Sequence, residues 1–197
     1  MTKIKLCGMT RPEDIAAVNE IKPDYIGFVF WKPSKRYITP EAAQELKKAL
    51  DENIKAVGVF VNEDIDEAAS LANRGIIDLI QLHGDEDDDY ISRLRKLTDK
   101  PIIRAIRIVT EEDTVKAENS PADHILLDSG KGGGKVIDWN LAAKIERPYF
   151  LAGGLTIDNV SAAVEKLHPY AVDVSSGIET DGHKDPEKMR QFRRNAQ

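Results

Sequence analysis

One cysteine, Cys7, is the only thiol in 197 residues. A lone thiol cannot close an intrachain disulfide or build a Cys-rich zinc or iron-sulfur site, so a reducing compartment, the cytoplasm, is the expected location. Long apolar runs are missing as well. Nothing approaches the roughly 20 residues of a membrane span, and the opening MTKIKLCGMT holds no apolar stretch of signal-peptide length. Positive charge is in deficit: 28 Lys and Arg against 34 Asp and Glu leave a net charge of -6. Nucleic acid and anionic membranes select a clustered positive field, so neither is an expected partner. A small anion is not excluded, because backbone N–H groups at a helix N-terminus hold phosphate whatever the net charge. Two glycine signatures are also absent. No G-x-G-x-x-G follows the first apolar run, and SGKGGGKV (129–136) is no P-loop, with Ser129 at the first glycine position and Val136 where Ser or Thr is required.

With 41% hydrophobic residues the chain can bury a core without disulfide or metal, and one domain spanning 1–197 is expected. Short apolar runs recur at 3–7, 24–30, 55–61, 78–83, 101–108, 123–128, 148–154 and 170–176. Several are apolar almost throughout, as in a parallel sheet covered on both faces. Amphipathic segments separate them, among them PEDIAAVNEI, PEAAQELKKAL, DIDEAASLANR and DNVSAAVEKL. Thr10 with Glu13 reads as a capping box, and Thr39-Pro40 and Asp185-Pro186 each put a cap before a first-turn proline. The acidic run GDEDDDY (84–90) reads as a helix start, since it lacks the ligand spacing of a calcium loop. Unbroken strand–helix alternation predicts a compact α/β fold, the single-domain (β/α)8 or TIM barrel, smaller than the roughly 250 residues typical of it. An open doubly wound sheet is the alternative.

Barrel chemistry sits at the carboxyl ends of the strands, which makes the end of each run informative. Cys7 ends the first, Gln81 and His83 the fourth, Asp128 the sixth, Gly153-Gly154 the seventh and Ser175-Ser176-Gly177 the eighth, while Arg36 lies in the loop after the second. Cys7 has two readings, an inert packing thiol or a reactive group at the rim of a site. With Asp128 across the same mouth it becomes half of a candidate pair, a thiolate that takes a proton and a carboxyl that gives one. That division requires the thiol pKa to fall from about 8.5 and the carboxyl pKa to rise from about 3.9. Gly153-Gly154 and Ser175-Ser176 are candidate phosphate loops, with two ordinary Gly-rich turns as the alternative. His83 is either a ligand contact or a satisfied strand-end histidine. Taken alone, Arg36 is a solvated loop charge, Asp173 a buried acceptor of loop N–H groups, and the glycine loop 129–136 a mobile flap over the mouth. Lys3, Lys5 and Lys55 fall near strand starts, at the wrong end for a Schiff-base aldolase.

The ordered set KLCGMT, GFVF with PSKRYITPEAA, VGVFVN, QLHGDE, LLD with its glycine loop and DW, LAGGLTIDNV, and VDVSSGIE with GHKD resembles the phosphoribosylanthranilate isomerase family of tryptophan biosynthesis, over residues 3 to about 190. The resemblance implies an Amadori rearrangement of N-(5-phosphoribosyl)anthranilate to 1-(2-carboxyphenylamino)-1-deoxyribulose 5-phosphate. It implies Cys7 as general base, Asp128 as general acid, Arg36 on the anthranilate carboxylate, and the phosphate on the loops of Gly153-Gly154 and Ser175-Ser176. It implies no metal or organic cofactor, and a monomer or homodimer is the expected assembly. Ser34-Lys35-Arg36 replaces the family's usual Ser-Pro-Arg, and Lys131-Gly132-Gly133-Gly134 its Gly-Gly-Thr-Gly. Two other functions suit a sugar-phosphate barrel: binding without turnover, and a different isomerisation or metal-dependent epimerisation on the same fold.

Overall fold

The computed structural model describes residues 1–129 and 137–197. Its elements alternate as β1 (Lys3–Cys7), α1 (Pro12–Ile21), β2 (Tyr25–Val29), α2 (Pro40–Ala49), β3 (Lys55–Phe60), α3 (Ile65–Asn73), β4 (Leu79–Leu82), α4 (Asp88–Leu94), β5 (Ile102–Arg107), α5 (Glu111–Glu118), β6 (His124–Asp128), α6 (Trp139–Ala142), β7 (Tyr149–Leu151), α7 (Val160–Leu167) and β8 (Ala171–Val174). A small antiparallel hairpin, β9 (Glu179–Thr180) and β10 (His183–Lys184), then leads into α8 (Pro186–Ala196). The eight long strands are parallel, each paired with its neighbour, and β8 pairs back to β1, closing the barrel. All eight expected strands and the four named helices are present.

Their ends differ in instructive ways. Strand β7 stops at Leu151 rather than running through the glycines, because Gly153 and Gly154 take φ of +79° and +70°, outside any strand. The cap of α1 is not Thr10 with Glu13. Pro12 has no N–H and its fixed φ suits the first helical position, so the cap moves to Arg11, and Asp14 accepts from the backbone N–H groups of Thr10 and Arg11, both at 3.0 Å. The caps at Thr39 and Asp185 are as expected, Thr39 accepting from Ala42 N and Asp185 from Glu187 N and Lys188 N. The acidic run starts α4, with Asp87 accepting from Tyr90 N.

Side chains alternate along each strand. Ile4, Leu6, Ile26 and Phe28 point outward into the layer shared with the helices. Tyr25, Val57, Leu79, Ile103, Leu126, Phe150 and Ala171 fill the barrel interior toward its amino end. Phe150 is fully buried there and meets the rings of Tyr25 and Tyr170 edge-on at 5.3 and 5.5 Å. Truncating it leaves a cavity that parallel strands cannot close over, so Phe150→Ala is expected to cost about 3–5 kcal/mol in urea unfolding, without changing the residues at the opposite end. This plug seals the amino end, and the carboxyl end stays open for a site.

Candidate active site

The carboxyl ends of the strands surround a cavity of about 560 Å3. All eight candidate residues line it: Cys7, Arg36, His83, Asp128, Gly153, Gly154, Ser175 and Ser176. Trp31, Val29 and Val59 give it an apolar side. A more open depression of about 650 Å3 between α4 and α5, over the buried Arg104, has neither Cys7 nor Asp128 near it. Among the described residues no three His, Cys, Asp or Glu side chains gather as a metal-ligand set.

Cys7 ends β1 and packs with Val29 and Val59 of the neighbouring strands. Gly27 faces it on β2, and a Cβ there would lie 2.5 Å from Sγ, so only glycine leaves space for the thiol. Burial pushes the thiol pKa up, against the expectation of a lowered one. Lys5 and Lys184 pull it down and Asp173 adds to the rise. Lys5 is also not where it was expected. It lies at the middle of β1 with its side chain inside the barrel, wholly buried, because a side chain two residues before Cys7 shares its face. Its Nζ donates to Asp173 Oδ2 at 2.8 Å, so the partner of Asp173 is an ammonium rather than loop N–H groups.

Asp128 ends β6. His83 reaches its Oδ2 through Nε2 at 3.1 Å, while Gln81 Nε2 donates to Nδ1 at 2.8 Å. With Nδ1 accepting, the neutral ring carries its hydrogen on Nε2 and donates it to Asp128. His83 is thus both a cavity-lining group and a satisfied strand-end histidine. Gly153 makes room for this carboxyl: a Cβ would lie 2.9 Å from Asp128 Oδ1, at a φ that side chains rarely adopt.

Arg36 is not a solvated charge. Its Nε and Nη2 fork onto Glu179 at 2.6 and 2.8 Å, and Lys184 Nζ donates to the same carboxylate at 2.6 Å. Burial disfavours the charged Glu179, but these two partners outweigh it and hold its pKa below the ordinary value. Burial lowers the pKa of Lys184, against the pull of Glu179. Lys184 also donates to Ser175 O at 2.9 Å, and Ser175 Oγ donates to Cys7 O at 3.1 Å. The hairpin β9–β10 therefore braces both the Arg36 loop and the end of β8, and Ser175 carries the contact on to Cys7. Neither Glu179 nor Lys184 is singled out as a site residue by the sequence, although both fall inside the motifs VDVSSGIE and GHKD, because each reads as an ordinary surface charge until the hairpin folds back. The expected flap at 129–136 lies, apart from Ser129, outside the described residues.

A family model described as N-(5'phosphoribosyl)anthranilate (PRA) isomerase matches residues 4–195. The chain belongs to this family. An N-(5'-phosphoribosyl)anthranilate isomerase of Endomicrobium trichonymphae is 46% identical over 194 residues, covering 96% of this chain and 95% of the relative. The phosphoribosyl anthranilate isomerase structure from Thermotoga maritima superposes with a TM-score of 0.91 at 35% identity, covering 100% of this chain and 98% of that one. A structure of such an isomerase in complex with reduced 1-(o-carboxyphenylamino)-1-deoxyribulose 5-phosphate superposes at 0.88, again at 35% identity and with the same coverage.

Proposed function

We propose that this chain converts N-(5-phosphoribosyl)anthranilate to 1-(2-carboxyphenylamino)-1-deoxyribulose 5-phosphate, an Amadori rearrangement of tryptophan biosynthesis, with Asp128 as general acid and Cys7 as general base. The observation that supports it is that both side chains, the two small-residue loops and Arg36 line one cavity on a chain of this family. The phosphate rests on the loops of Gly153-Gly154 and Ser175-Ser176, where backbone N–H groups can approach it. Arg36, its Nε edge held by Glu179, offers Nη1 to the anthranilate carboxylate. Asp128 protonates the furanose ring oxygen and the ring opens to a protonated imine. Cys7 then removes the C2 proton, and the electrons of that C–H bond flow into the imine to give an enolamine that tautomerises to the ketone. The imine is itself the electron sink, so no cofactor is called for. The barrel is read as one catalytic domain, working in the cytoplasm as a monomer or homodimer.

The test is to add purified protein to freshly generated N-(5-phosphoribosyl)anthranilate with excess EDTA and to follow aminoketose formation. Turnover well above the spontaneous background is expected. Substrate binding without turnover would favour the binding barrel, and turnover lost on chelation would favour a metal-dependent enzyme. Gly27→Ala gives an independent check on the thiol. Its Cβ displaces Sγ, and a shift of about 1 Å at a reacting group is enough for a 100-fold loss in kcat. The circular dichroism spectrum should stay that of the parent, since the change sits in one strand facing the cavity.

A further inference from the structure

The least ordinary charge in the molecule is Lys5. A wholly buried ammonium inside the barrel, paired with a carboxylate, is poor evidence for stability, because well-packed apolar residues of similar volume serve a fold as well or better. Its placement is specific. Lys5 and Cys7 are successive inward positions of β1, Lys5 pairs across the strand register with Asp173 of β8, and Asp173 itself lines the cavity. Asp173 Oδ1 is buried with no hydrogen-bond partner among the described residues. Among the described residues, charged groups reach Cys7 from three other elements: Asp173 on β8, Lys184 on β10 and Arg36 in the loop after β2. Lys184 and Arg36 are both committed to Glu179.

We infer that Lys5 is the positioning residue for the base: held by Asp173, its ammonium is the counter-charge for the thiolate of Cys7 and sets how much of that thiolate meets the substrate. The inference rests on Cys7 acting as the base. The electrostatics agree in sign, Lys5 being the strongest of the influences that favour the thiolate and Asp173 opposing it. The two partners of one ion pair therefore act on the thiol in opposite directions. A merely structural pair would not do this, since removing either member would loosen the same packing.

Cys7 is the sole cysteine, so its alkylation by iodoacetamide, read by intact mass, reports this thiol and nothing else. Rates across about pH 6 to 10 give its ionisation curve directly. Lys5→Met is expected to move that curve to higher pH and to slow alkylation at neutral pH, about tenfold for every pH unit that the curve moves. Asp173→Asn is expected to move it to lower pH and speed alkylation. The double variant, which leaves no unpaired buried charge and so guards against misfolding of Lys5→Met, is expected to react more slowly than Asp173→Asn alone. kcat should follow the thiolate fraction in each variant, with KM little changed. Equal slowing by both single substitutions, or a double variant as fast as Asp173→Asn, would overturn the inference. Should Cys7→Ala retain turnover, the base assignment fails while the alkylation result still stands on its own.

Discussion

Cys7→Ala is expected to lower kcat by about 10²–10⁴-fold, the range set by losing a positioned general base, and to leave KM nearly unchanged. The thiol ends β1 in a niche that Gly27 leaves open, against the apolar side chains of Val29 and Val59. None of the groups assigned to the phosphate or the carboxylate depends on it for its place, so binding survives its loss. Steady-state kinetics on the folded variant measure this, and an equal fall in both parameters would mean that the thiol serves binding instead. The pH profile carries a second sign. Burial raises the thiol pKa, only the thiolate takes a proton, and the thiolate fraction therefore grows as pH rises. kcat/KM in the parent is expected to climb through neutrality into the alkaline range, and this limb should vanish from the residual activity of Cys7→Ala.

Asp128→Asn is expected to give a loss of similar size, because an amide of nearly the same shape cannot deliver a proton to the ring oxygen. His83 Nε2 lies 3.1 Å from its Oδ2, and the side-chain oxygen of Asn can accept the same hydrogen. The substitution thus removes the acid while keeping the geometry. His83→Ala removes the orienting contact and keeps the acid, so it should fall between parent and Asp128→Asn. A His83→Ala enzyme as impaired as Asp128→Asn would shift the proton-donating role to the histidine. The ordering of the three proteins at a single pH, with product formation as the readout, decides between these roles.

Much of this arrangement can be read along the chain, because a parallel barrel repeats one local rule. Each apolar run is a strand, each amphipathic segment its return, and whatever ends a run faces the mouth. Cys7, His83, Asp128, Gly153 and Ser175 follow from that rule, and the cavity brings them together. Helix starts were legible wherever a proline and a hydroxyl or carboxyl stood side by side, and failed at Arg11, where the proline itself displaced the cap. The charges between strands are a different matter. Lys5 looked like a strand-start lysine, and only the inward alternation of β1, closed by pairing with β8, puts it under Cys7 and against Asp173. Arg36 looked solvated until the hairpin β9–β10 brought Glu179 and Lys184 around it, from about 140 residues away in sequence.

The pattern of residues by itself pointed to the barrel, to the end that carries its cavity and to the candidate acid and base that line it, because period and strand ends are local properties. Tertiary structure alone decided the electrostatics: which charges are buried, which are paired, and that the thiol is pushed up rather than down. Burial and pairing depend on atoms that arrive from distant strands, and no local pattern encodes the dielectric that they create.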